Sequence, residues 1–250
     1  MSTEKKKSAK ARAPRRAAAV LATSQHAPVT LVVGTDTDVG KTWVTAALAR
    51  ALREAGQRVV AIKPVETGCG PTIAPREDGV LLAAATGQAE PKAALIRLTT
   101  AMSAAWAAEL EGVKIEVPAL SERIRAAAKG ADQALVELAG GLLSPLTWTD
   151  DALDLAHLLD ARALVVAADR LGSINHTLLT IRALREERIP ILGVVLSTPE
   201  VADASTGSNA EAIHRLASID AIVTVPRLAD SERAAEAVKE VAGWVLDYAS

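Results

Sequence analysis

"VTLVVGTDTDVGKTWVTAALARALREAG", residues 29–56, decides the architecture. Its first six residues form an apolar, valine-rich run, as a strand covered on both faces requires. From Lys41 to Ala55 the pattern becomes helical, and Gly56 ends it. Between the two stands "GTDTDVGKT", Gly34 to Thr42. It closes like a phosphate-binding loop but is longer than the usual form, with five residues rather than four between Gly34 and Gly40.

A strand before, a helix after and glycine at both ends supply the context that such a loop needs. There the backbone N–H groups of residues 37–42 can converge on a phosphate, and the helix dipole adds partial positive charge. Lys41 would neutralise β- and γ-phosphate oxygens, and the Thr42 hydroxyl would ligate Mg²⁺. The competing reading is a chance Gly-Lys-Thr in a turn.

Working outward, "RVVAIKP" (58–64) is a second strand stopped by Pro64. Further strands are expected at "ALVELAG" (134–140), "ALVVAA" (163–168), "ILGVVLS" (191–197) and "AIVTVP" (221–226). Helical stretches separate them, among them Asn175–Glu187 and Ser231–Leu246. This alternation predicts an α/β fold of P-loop NTPase type: a doubly wound, mostly parallel sheet flanked by helices, forming a single domain over residues 29–250. With no Phe and one Tyr, the core has to be built from Ala, Val, Leu and Ile, which suits helices on a parallel sheet.

The formal charge of -2 conceals two different regions. Residues 1–28 carry seven Lys or Arg against one acid, leaving 21 basic and 29 acidic residues for the rest. That block of like charge, without a stable hydrophobic period, is expected to be a disordered extension. A weak targeting segment is the alternative, although its apolar "AAAVLA" is short for secretion. No run approaches the ~18 apolar residues of a membrane span. The single cysteine, Cys69, cannot form an internal disulfide, which suits a reducing cytoplasm.

In a doubly wound sheet ligands sit beyond the carboxyl ends of the strands. Lys63 ends the second strand, and Glu137 interrupts an otherwise apolar one. A carboxylate buried there requires a cation: either Mg²⁺ shared with Thr42 or a structural Lys or Arg. Asp78, in "PREDGVLLAA" (75–84), is either a third carboxylate on the metal side or a helix N-cap. His26, His157, His176 and His214 have no metal-cluster spacing, and His176 reads as structural.

"GTDTDVGKT", "KPVETG", "ELEG", "VELAGG" followed by "LLSPLT", and "LGSINHTLLTIRAL" stand in the order and at roughly the separations of the dethiobiotin synthetase family, over most of residues 30–228. The chain resembles that family, whose longer loop belongs to a deviant branch of P-loop proteins. The resemblance implies an ATP- and Mg²⁺-dependent ligase of biotin biosynthesis. In such an enzyme 7,8-diaminononanoate takes up CO₂ as a carbamate, ATP phosphorylates the carbamate, and the second amine closes the ureido ring with release of ADP and phosphate. It further implies Lys63 and Lys41 as catalytic lysines, Thr67 as a substrate-contacting hydroxyl, and Thr42, Asp78 and Glu137 as metal ligands.

The nucleotide site implied comprises Thr37, Asp38, Val39, Gly40, Lys41, Thr42 and Trp43, then Asp78, Glu137, Ala139 and Gly140. Ser197, Pro226, Arg227 and Leu228 would hold the base. Gly172, Ser173 and Asn175, ahead of a helix, would bind the substrate's far carboxylate, reaching a neighbouring subunit's site in a cytoplasmic homodimer. Neither nucleic acid nor membrane is an expected partner.

Three departures from the family pattern stand out: Leu138 in place of Gly, Ser103-Ala104-Ala105-Trp106 in place of a Ser-Pro-His segment, and Ser197 in place of a base-binding Asn. They are expected to touch the substrate-pocket edge and the base site. A hydroxyl at 197 satisfies a base less completely than an amide. Two other readings remain open. A nucleotide switch or partition-type ATPase would use the same loop, but with an extra lysine that positions 35–39 lack. An inactive ATP-binding paralogue would keep the loop without turnover.

Overall fold

Alternation along the first strand sets the layers of the protein. In the computed structural model, which describes residues 26–226 and 231–248, Leu31 and Val33 face one hydrophobic cluster and Val32 the other. The same alternation runs through Ala163, Val165 and Ala167 against Leu164 and Val166. Both faces of the sheet are therefore covered, the condition under which an all-parallel sheet is stable.

In chain order the elements are β1 (Val29–Gly34), α1 (Lys41–Glu54), β2 (Val59–Ile62), β3 (Val65–Glu66), α2 (Asp78–Thr86), β4 (Ile96–Arg97), α3 (Ala104–Glu111) and α4 (Val117–Ala127). They continue as β5 (Gln133–Gly141), α5 (Ala152–Leu159), β6 (Arg162–Ala168), α6 (Ser173–Glu186), β7 (Ile191–Ser197), α7 (Asn209–Ala217), β8 (Ile222–Val225) and α8 (Ser231–Asp247). Six strands form a parallel sheet in the order β2-β5-β1-β6-β7-β8.

Helices α3 to α7 pack on one face through residues such as Ala107, Leu120, Leu155, Leu184 and Ile213. On the other face lie α1, α2 and α8, through Leu48, Leu82 and Val241. Each leucine taken fully out of water contributes about 1.5–3 kcal/mol, and the fully buried members of both clusters are aliphatic, with Trp43 and Trp244 packed at the margin of the second.

The six main strands lie where the hydrophobic runs predict, with ends shifted by one or two residues; β2 stops at Ile62, one residue before the Lys63 expected to end it. The small parallel pair β3 and β4 was not expected; two-residue strands are too short to show a period. Helix α6 begins at Ser173 rather than Asn175, with Gly172 as its N-cap. The basic segment expected to be disordered lies, up to residue 25, outside the described residues, as do Arg227 and Leu228. Among the described residues no helix is long and apolar enough to cross a membrane.

Candidate active site

Strand register assembles the site. Ile62 of β2 pairs with Val136 of β5, and Val32 of β1 pairs with Glu137. Lys63, the residue that follows β2, therefore emerges beside Glu137. Its Nζ donates to Glu137 Oε1 at 2.7 Å and to Asp78 Oδ2 at 2.6 Å. Thr42 Oγ1 donates to the same Glu137 oxygen at 2.7 Å. Glu137 is fully buried and Lys63 is 3% exposed. Burial alone would lower the Lys63 pKa, but the carboxylates of Glu137 and Asp78 outweigh it and push the ammonium above its ordinary value.

The second lysine is held differently. Lys41 opens α1 and folds back over the loop, donating from Nζ to the carbonyl of Asp36 at 2.8 Å. A Cβ at Gly34 would lie 2.6 Å from the carbonyl oxygen of Asp36 and 2.9 Å from that of Gly140, backbone atoms that cannot give way, which is why glycine stands there. Burial, and then the charge of Lys63, lower the Lys41 pKa to about 8. At the far end of the loop Gly40 adopts φ 91°, a left-handed conformation. A Cβ there would meet Ser197 Oγ at 2.7 Å, so the added loop residue still allows the loop to close tightly on β7.

These side chains line a cleft of about 1000 Å³ whose walls include Thr37, Asp38, Gly40, Lys41, Thr42, Trp43, Lys63, Thr67, Asp78, Ala139 and Gly140. A second recess of about 470 Å³ continues past the loop, along Val39, Gly40, Trp43, Ala168, Arg170 and Ser197. Pro226 follows β8, whose Val225 pairs with Ser197. The two cavities share Thr37, Asp38, Gly40 and Trp43, so the loop stands between them.

Of the two cations weighed for Glu137, the partner in place is Lys63. The donor set nevertheless fits Mg²⁺. Glu137 Oε2 is buried with no hydrogen-bond partner among the described residues, an acceptor that is costly to leave unmet. Thr42, Asp78 and Glu137 offer the hard oxygen ligands that Mg²⁺ takes. The N-cap alternative for Asp78 is overturned, because the N-cap of α2 is Glu77 and Asp78 is the first helical residue.

Of the three residues expected ahead of α6, only Gly172 precedes the helix. Asn175 lies inside the first turn, and Ser173 is buried, its hydroxyl donating to the carbonyl of Ala168. Gly172 and Asn175 are exposed, and none of the three lines the large cleft.

Sequence reasoning missed the clasp behind Asp78. Glu66 accepts from the backbone N–H groups of Asp78 at 2.7 Å and Gly79 at 3.0 Å. Burial raises its pKa against the pull of those two donors. Glu77 turns the other way and holds Arg97 through both oxygens, at 2.6 and 2.7 Å. Glu66, Glu77 and Cys69 bring ligand-type atoms within 4.8 Å of one another, but both carboxylates are already occupied, which makes the group a structural clasp. Arg50, on the outer wall of the cleft, was also unread. A basic residue late in a helix gives no signal that it faces a ligand.

A family model described as an AAA domain matches residues 29–235. An ATP-dependent dethiobiotin synthetase of Anaeromyxobacter dehalogenans (strain 2CP-C) is 40% identical over 220 residues, which cover 87% of this chain and 98% of the relative. A relative of the same name from Rhodococcus jostii is 40% identical over 79% of this chain and 86% of its own length. The chain belongs to the dethiobiotin synthetase family. Among solved structures it resembles a septum site-determining protein, MinD, complexed with Mg-ADP from Pyrococcus horikoshii. That likeness has a TM-score of 0.57 at 17% identity, over 90% of this chain and 98% of the other. A ParA family ATPase from Chlorobium tepidum gives 0.53 at 15%, over the same shares. Both show the P-loop ATPase fold and nothing finer.

Two departures from the dethiobiotin synthetase pattern fall away from the pocket that they were expected to touch. Leu138 points into the core beneath the sheet. Trp106 meets Trp148 edge to face, with ring centroids 5.0 Å apart, and lines neither cavity. Ser197 alone stays at the site, in the recess beside Gly40.

Proposed function

We propose that this protein is an ATP-dependent dethiobiotin synthetase that carboxylates 7,8-diaminononanoate with CO₂ and closes the ureido ring through a carbamoyl phosphate intermediate. The observation that carries the reading is the pair of buried lysines, Lys41 and Lys63, that line one cleft, the second of them bonded to the carboxylates of Asp78 and Glu137, with the Thr42 hydroxyl on Glu137 as well. A phosphoryl acceptor that is itself an anion must approach an anionic γ-phosphate, and the main task of the site is to offset that repulsion.

In this reading one amine of the diamine adds to CO₂ and loses a proton, giving the carbamate. A carbamate oxygen attacks the γ-phosphorus as ADP leaves. The second amine then attacks the carbamoyl carbon, the C–O bond to phosphate breaks, and the amine's proton leaves with the phosphate or to water. Lys41 and the N–H groups of residues 37–42 hold the β- and γ-phosphates, while Lys63 faces the carbamate and the transferring group, with the Thr67 hydroxyl beside it. Thr42, Asp78 and Glu137 would hold Mg²⁺, which supplies positive charge to the phosphate oxygens. Lys63, which Glu137 and Asp78 hold at the edge of the cleft, would donate to the acceptor.

Ser197 and the segment from Pro226 would hold the base. The N-terminus of α6, with Gly172, Ser173 and Asn175, would serve the substrate's carboxylate from a partner subunit of a cytoplasmic homodimer. A partition-type switch is the weaker reading, since residues 35–39 contain no lysine. Incubation with Mg·ATP, bicarbonate and 7,8-diaminononanoate should yield dethiobiotin by mass. ATP hydrolysis indifferent to the diamine, with no product, would sink the proposal in favour of a switch or an inactive paralogue.

A further inference from the structure

Glu66 lies on a strand of only two residues, is 8% exposed, and uses both carboxylate oxygens on main-chain donors of another element. The first N–H groups of a helix are unpaired and carry partial positive charge, so they attract an anion. Glu77, the N-cap residue of α2, makes no side-chain cap hydrogen bond, because its carboxylate is spent on Arg97. Glu66 supplies the missing cap from across the β3–β4 pair. The arrangement closes on itself: Glu66 pairs in register with Arg97, Arg97 grips Glu77, and Glu77 precedes the two N–H groups that Glu66 holds.

Asp78, the residue so fixed, reaches into the cleft and meets Lys63 at 2.6 Å. We infer that Glu66 is a positioning residue. By occupying the N-terminus of α2 with a buried carboxylate, it fixes Asp78 in the orientation needed for a divalent cation and keeps that terminus from competing with α1 for phosphate. The inference rests on the proposed role of Asp78 as a metal ligand, and it assigns to Glu66 a part in metal affinity rather than in binding any ligand itself.

Manganese(II), read by electron paramagnetic resonance in the presence of ADP, tests this without the diamine, so the result stands whether or not dethiobiotin forms. Glu66→Gln keeps the shape but leaves one of the two N–H groups without its acceptor. It should weaken Mn²⁺ about tenfold, the low end for groups that orient metal ligands. Asp78→Asn should weaken Mn²⁺ on its own, and adding Glu66→Gln to it should change nothing further, because the orientation being lost no longer matters. Unaltered Mn²⁺ affinity in Glu66→Gln would overturn the inference. So would a loss of equal size in the Asp78→Asn background, the sign of a merely structural cap, or Mn²⁺ affinity untouched by Asp78→Asn itself.

Discussion

The N-termini of α1 and α2 open on the same cleft and are prepared for opposite charges. Helix α1 starts from a left-handed glycine, has no side-chain cap and no acid in its first turn, and carries Lys41 at its first position. Helix α2 starts with Asp78, and Glu66 fills its terminal N–H groups. Like helix dipoles thus lead to unlike termini: that of α1 has no side-chain cap, as the proposed phosphate site requires, while that of α2 is already neutralised and presents a carboxylate. A helix N-terminus is an anion site only where nothing in the fold has occupied it first.

The lysines divide in the same way. Lys41, beside the open terminus, has burial against it and, among the described residues, no carboxylate bonded to its Nζ, so its pKa falls to about 8. Lys63, beside the closed one, is held by two carboxylates, and its pKa rises. The sharpest way to break this contrast is to remove each in turn. Lys63→Ala should reduce dethiobiotin formation by roughly 10³-fold or more, the scale of a charge lost from a phosphoryl-transfer transition state, while ADP affinity stays within a few-fold. Lys41→Ala should weaken ADP by about 10- to 100-fold, as for one charge-assisted phosphate contact, and lower turnover with it. Equilibrium binding beside product assays checks both, and loss of ADP binding in Lys63→Ala would reverse the assignment.

A smaller effect concerns pH. In the nucleotide-free protein Lys41 is charged below about pH 8 and neutral above it. ADP affinity should be flat up to that point and then fall by up to about tenfold per pH unit, because binding must first protonate the lysine. Stability should respond the other way. The folded-state pKa lies below that of the unfolded chain, so the fold is penalised for the charge below about 8 and relieved as pH rises towards 10.5. A titration of ADP affinity with no break near pH 8 would show that the lysine is not the phosphate group's partner.

What the sequence reveals follows the range of the interactions. Residues 34–42 are legible because loop, strand and helix are contiguous and each has its own periodicity. Lys63 and Glu137, 74 positions apart, meet only through the placing of β2 beside β5, which no local pattern encodes. A buried carboxylate could announce its need for a cation but not choose Lys63. Glu66 was silent, since a two-residue strand has no period and a glutamate two places before Gly68 reads as loop. The misplaced start of α6 has a similar cause: Gly172 and Ser173 are poor formers of a helix interior and look like a turn, yet glycine is tolerated at the N-cap, where the left-handed Gly172 stands, and Ser173 opens the first turn. Leu138 was misjudged because a departure from a family pattern shows where a residue stands but not which way it faces.

The central claim is that the cleft transfers the γ-phosphoryl group to a carbamate oxygen. Oxygen-18 bicarbonate, supplied with Mg·ATP and 7,8-diaminononanoate and quenched before the label exchanges with water, tests that transfer at the atom concerned. One labelled oxygen should leave with the inorganic phosphate and one should remain in the ureido carbonyl of dethiobiotin. Dethiobiotin formed alongside wholly unlabelled phosphate would contradict the account.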